Sequence, residues 1–136
     1  SAFDVAPAWR LEATWEPAPG GTLPVPNVLG QVEQQPSPGV AVFTVEGKTY
    51  RLRPVLEDPE GPLFFIFGDE TNKTDTYGAG RFLYAELPRD GKVTLDFNRA
   101  VNPPCAFTSF ATCPIPPREN RLPLKVTAGE RRYGNH

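Results

Sequence analysis

Trp9, Leu11, Ala13 and Trp15 alternate with Arg10, Glu12, Thr14 and Glu16, a period of two that predicts a strand with one buried face. The proline and glycine run at 17–21 ends it. Val40–Val45 is apolar and rich in β-branched residues, Glu46 and Gly47 read as a two-residue turn, and Tyr50 and Leu52 then alternate with Arg51 and Arg53. Residues 40–53 therefore predict a hairpin. Leu63–Phe67 is a short, continuously apolar run between Gly61-Pro62 and Gly68, the pattern of a strand buried on both faces. Residues 81–87 and 92–98 flank Pro88-Arg89-Asp90-Gly91, which reads as a four-residue turn, and Leu122, Leu124 and Val126 share one face of a last strand over 122–127. No repeat or composition break divides the chain. The expected fold is all-β, a single domain over 1–136 built as one antiparallel barrel or sandwich of about seven to nine strands, with long proline-rich loops.

Composition sharpens the fold class. The 17 prolines and 12 glycines make up about a fifth of the 136 residues, well above the usual share of about 12%. The longest stretch free of both, Lys92–Asn102, is one mean helix long and reads better as a strand, so helix is expected below about 15% of residues. The net charge of -2 argues against nucleic acid as a partner. Charge is uneven, however: residues 1–70 hold 4 bases and 10 acids, residues 71–136 hold 10 bases and 6 acids. Arginine dominates the basic half and suits planar anion recognition or buried ion pairs. No apolar run approaches the roughly 18 residues of a membrane span. With no methionine in the sequence, Ser1 is expected to follow a segment already removed.

Several chemistries drop out by elimination. The single histidine, His136, is the last residue, which leaves little basis for Ser-His-Asp or Cys-His catalysis. Two cysteines and one histidine fall short of a zinc ligand set, so no metal and no cofactor are expected. Gly47-Lys48-Thr49 copies the end of a phosphate-binding loop, but Val42 stands where that motif needs glycine.

One polar constellation remains. Pairing Leu87 with Lys92 sets Phe82 opposite Phe97 and Tyr84 opposite Leu95 on an apolar face. The same register puts Arg81 opposite Asn98 and Leu83 opposite Asp96, with Arg81 diagonal to Asp96. Gly78 and Gly80 can arrange backbone N–H groups into an anion-binding nest, and Thr76 and Tyr77 add hydroxyls. The functional expectation is a pocket for a small anionic or polar ligand, Arg81 donating two-pronged bonds and Asp96 orienting it. The structural alternative is an interior Arg81–Asp96 ion pair. An enzyme would draw on Asp69, Asp96 or Glu130, or on Cys105 as nucleophile, and a protein-interaction domain would present the exposed prolines and aromatics. Cys105 and Cys113 lie in a segment with five prolines over 102–117 and read as buried thiols, a disulfide or a reactive thiol near Arg99 or Arg118. Glu119, Asn120 and Glu130 read as turn and capping residues.

The runs TYGAGRFL at 76–83, LDFNRA at 95–100, NPPCAF at 102–107 and CPIPP at 113–117, with Glu119-Asn120 and AGE at 128–130, resemble the prokaryotic domain of unknown function family 1684 over residues 30–133. The resemblance implies no activity, substrate or cofactor, since the family has none established. Its members usually carry extra residues before the position of Leu23. The compartment is not legible in these residues, with the prokaryotic cytoplasm favoured over export.

Overall fold

The computed structural model describes residues 2–70, 80–102 and 114–129. Among these residues eight strands follow in chain order: β1 (Arg10–Pro17), β2 (Thr22–Pro26), β3 (Val32–Pro36), β4 (Gly39–Val45), β5 (Lys48–Leu52), β6 (Leu63–Phe67), β7 (Arg81–Ala85) and β8 (Lys92–Asp96). All strand pairs are antiparallel, but they form three separate sheets, ordered β5-β4-β1-β8, β2-β3 and β6-β7. Among the described residues no barrel closes, which corrects the expectation of one continuous sheet. Helix among the described residues is confined to short 3-10 turns such as Pro7–Trp9, Phe97–Arg99 and Arg118–Asn120, and none is long and apolar enough to cross a membrane. Proline and glycine density accounts for this.

The β4–β5 hairpin forms as expected. Glu46 and Gly47 both take positive φ (51° and 80°), the twist that matches two antiparallel strands. β1 sits between β4 and β8, with Thr14 opposite Val42 on one side and Leu11 and Ala13 opposite Leu95 and Val93 on the other.

The hairpin expected from residues 81–98 opens instead. Its turn is the two-residue pair Asp90-Gly91, both at positive φ, and Arg89 and Lys92 exchange backbone bonds of 2.9 and 3.0 Å across it. Beyond that bridge the arms part: β7 pairs β6, from Phe67 opposite Arg81 to Leu63 opposite Ala85, while β8 pairs β1. Facing partners decide this. Leu11 and Ala13 complete an apolar face with Val93 and Leu95, and β7 covers one edge of the fully buried β6.

β6 and β7 lie between two cores. Leu63, Phe65, Phe67, Leu83 and Ala85 face one, shared with the four-stranded sheet, and Phe64, Ile66 and Phe82 face the other, shared with Leu23 and Val25 of β2 and with Val55. Every residue of β6 is buried, as its unbroken apolar run requires. Phe64 and Phe82 meet edge to face, ring centres 4.7 Å apart. β2 and β3 carry Pro24, Pro26 and Pro36, which a two-stranded sheet tolerates because each strand has an outer edge needing no N–H donor.

Leu122, Val126 and Ala128 are buried and alternate with exposed neighbours, yet 122–127 is not a sheet strand. Pro123 lacks a donor, and the backbone beyond it is bonded mainly by side chains. Just before it, Asn120 is fully buried. Its Nδ2 donates to the carbonyls of Arg53 and Ile66 at 2.8 and 3.0 Å, and its Oδ1 accepts from Arg53 N–H at 2.9 Å. Asn120 thus sits in the 3-10 turn Arg118–Asn120, as a turn residue was expected to, and its side chain adds a crosslink between residues 53 and 66. Asn120→Ala is expected to cost about 2 kcal/mol, read as a lower urea midpoint with unchanged slope, because buried backbone groups lose their partner.

Candidate functional site

Alternation sends the Arg81 side chain to the side of Leu83 and Ala85, into the first core, where it is fully buried. Its guanidinium lies 5.4 Å from the centre of the Phe67 ring. Nη1 donates to the Ala128 carbonyl, Nη2 donates to the Val126 carbonyl at 3.0 Å, and Nη2 lies 3.7 Å from Asp69 Oδ1. Asp69 Oδ2 in turn accepts from Val126 N–H at 2.5 Å. Neither side chain of the pair is accessible to solvent. A buried ion pair persists when further hydrogen bonds support it, and here the backbone of 126–128 supplies three, two accepted from the Arg81 Nη atoms and one donated to Asp69 Oδ2. Arg81 and Asp69 act as a substitute strand for the C-terminal segment.

Asp96 is not part of this group. Its Oδ1 accepts from Asn98 N–H at 3.1 Å and from Asn98 Nδ2 at 2.9 Å, and its Oδ2 lies 4.0 Å from Arg99 Nε. Asn98 also donates to the Ala6 carbonyl and accepts from Ala6 N–H, each at 2.9 Å, so its amide pins the N-terminal segment. The juxtaposition of Arg81 with Asp96 and Asn98 expected from the sequence is not formed, because it required β7 and β8 to pair. The interior ion pair exists with Asp69 in place of Asp96. Gly80 is a close-approach residue: at φ 97°, a Cβ there would meet the Pro116 ring and would lie 2.7 Å from the Phe67 carbonyl oxygen. Thr76, Tyr77, Gly78, Cys105, Cys113 and Glu130 lie outside the described residues.

The parting of β7 and β8 leaves an open cleft of about 740 Å³ between the two arms of the 89–92 turn. Tyr84, Glu86 and Arg89 line it from one arm, Lys92, Thr94 and Asp96 from the other, and Arg10, Arg99 and Glu60 join them. Arg10 stands opposite Asp96 in the β1–β8 ladder, so its side chain shares the outer face with Thr94 and Lys92. All four cations are exposed. Tyr84 stacks on the buried Phe64 ring with centres 4.7 Å apart and planes inclined by 18°. Its hydroxyl lies 3.5 Å from Glu57 Oε1. Burial, and after it the Glu57 charge and hydrogen bond, raise the Tyr84 hydroxyl above the ordinary phenol range, so it stays neutral at physiological pH.

Of the described residues singled out in the sequence, the cleft holds Asp96 and Arg99, the latter named there only as a neighbour for Cys105. Arg10, Arg89, Lys92 and Tyr84 emerge only from the fold. The surplus of bases in the second half was the one signal for Arg89 and Lys92, and the β1–β8 register was needed to bring Arg10 beside them. No group of three or more His, Cys, Asp or Glu among the described residues is placed to hold a metal ion.

A solution NMR structure of an uncharacterised protein of Haloarcula marismortui is similar to this chain, at 33% identity and a TM-score of 0.76, covering 100% of this chain and 77% of that one. No curated protein matches. A family model described as protein of unknown function, DUF1684, matches residues 1–131, so the likeness begins upstream of residue 30, where the short motifs had placed its start. With nearly the whole sequence matched and the motif-bearing residues of β7, β8 and the C-terminal segment built into one packed structure, the chain belongs to the DUF1684 family of proteins of unknown function.

Proposed function

We propose that this chain binds a small anionic ligand in the cleft between β7 and β8. The observation that carries the reading is the convergence of Arg10, Arg89, Lys92 and Arg99 on one concave surface in a chain whose net charge is negative. The cleft volume lies within the range of about 300 to 1,000 Å³ common for small-molecule sites. Arg99 is partly engaged by Asp96 at 4.0 Å, which leaves Arg10, Arg89 and Lys92 as the principal donors. Arginine and lysine on opposite arms of a turn grip an anion from two sides, and Thr94 adds a hydroxyl. Arg81, expected to be the ligand's donor, belongs to the core and not to this reading.

Thermal melting in inorganic phosphate and in small carboxylates tests it. A true ligand at about 100 times its Kd adds about 2.7 kcal/mol to wild-type stability. The shift is expected to shrink in added sodium chloride and to be lost in the double variant Arg89→Gln, Lys92→Gln. An identical shift in wild type and double variant, or no shift with any anion, rejects the proposal.

A further inference from the structure

Resting on the reading that the cleft takes an anion, we infer that its ligand also carries a planar ring, held on Tyr84, and is built like a nucleoside monophosphate. Tyr84 is 44% exposed, and its ring lies against Phe64, which is wholly buried in the second core. The ring is therefore braced from behind, and the face turned away from Phe64 is the one a cleft ligand meets. Glu57 at 3.5 Å from the hydroxyl limits rotation of the side chain. An aromatic platform of this kind takes any ring with a π face.

The remaining lining residues fit the rest of such a molecule. Arg89 and Lys92 bracket the turn end and supply charge for a phosphate, while Glu60 and Glu86 offer acceptors for hydroxyl and amino donors. A cleft lined only for a bare anion would have no use for those two carboxylates, which repel it. A mononucleotide presents an anionic group, hydroxyl donors and a ring in sequence, and the 740 Å³ cleft offers far more room than one inorganic anion occupies.

Isothermal titration with adenosine 5′-monophosphate, adenosine and inorganic phosphate separates the two levels of the argument. The nucleotide is expected to bind about tenfold or more tightly than phosphate, the scale of one stacked base. Tyr84→Leu is expected to remove that advantage while leaving phosphate affinity unchanged, and Tyr84→Phe to keep it. Should Tyr84→Leu fail to fold, ring-labelled tyrosine in the wild type gives the same answer. The resonance absent from Tyr84→Phe identifies Tyr84, and the nucleotide, but not phosphate, is expected to shift it upfield. Phosphate binding with no nucleotide advantage, or an advantage that survives Tyr84→Leu without a ring shift, overturns this inference and leaves the anion reading standing. Adenosine binding as tightly as the nucleotide, or no binding by any of the three, overturns both.

Discussion

Arg81→Ala is expected to destabilise the fold by about 3 to 5 kcal/mol, the cost of leaving one member of a buried ion pair without its partner. Asp69 would lose its cationic neighbour at a position closed to water, and the carbonyls of Val126 and Ala128 would lose their donors. The double variant Arg81→Ala, Asp69→Ala is expected to cost less than the sum of the two singles, because each single already removes the shared interaction. Asp96→Ala serves as the control. It removes two bonds accepted from Asn98 and a 4.0 Å pair with the 81% exposed Arg99 side chain, none of which involves Arg81, and it is expected to leave the Arg81→Ala defect unchanged. Urea midpoints of the three single variants and of the two doubles, Arg81→Ala with Asp69→Ala and Arg81→Ala with Asp96→Ala, give these differences directly. A loss under about 1 kcal/mol in Arg81→Ala, or a rescue by Asp96→Ala, contradicts the assignment.

Gly80→Ala is the second large effect. The backbone there is left-handed at φ 97°, and the added methyl would press on the Pro116 ring and on the Phe67 carbonyl oxygen, 2.7 Å away. Strain of about 1 to 3 kcal/mol from the backbone and a similar amount from overpacking give an expected loss of about 2 to 6 kcal/mol. Gly91→Ala shares the positive φ but has open space around the added carbon, so it isolates the backbone part. Comparable midpoints for the two variants would mean that Pro116 and Phe67 do not crowd residue 80. A loss of anion binding with stability intact would return Gly80 to the ligand-binding role expected from the sequence.

The elements that local pattern determines were legible. The alternation in 9–15, the turn at Glu46-Gly47 and the unbroken run 63–67 each constrain neighbouring residues only, and each appears where the pattern places it. Partner choice was not legible. Residues 81–87 and 92–98 carry strand pattern on both sides of a sound turn, and adjacency favours a hairpin, but nothing within those segments reveals that Leu11 and Ala13 compete for Val93 and Leu95. The same gap misplaced Arg81. It does share a face with Leu83, as its spacing requires, but that face is a core rather than a polar surface, because β7 is enclosed on both sides. β2 and β3 were hidden by Pro24, Pro26 and Pro36, residues that normally argue against a strand and are accommodated here in a two-stranded sheet, with the Pro26 and Pro36 carbonyls accepting from Ile115 and Leu56 N–H. The cleft followed the misread pairing. It exists because the two arms separate, so a reading that joined them had no space in which to see it.

A wall shared by two rooms cannot be taken down for one of them alone. β6 and β7 give Phe65, Phe67 and Leu83 to one core and Phe64, Ile66 and Phe82 to the other. Opening either core strips a face of the same hairpin, and the single pairing of β6 with β7 is too short to stand by itself in water. Cooperativity between the two halves of the molecule is thus carried by this hairpin. Amides within it are expected to exchange with solvent only through an opening that disturbs both cores.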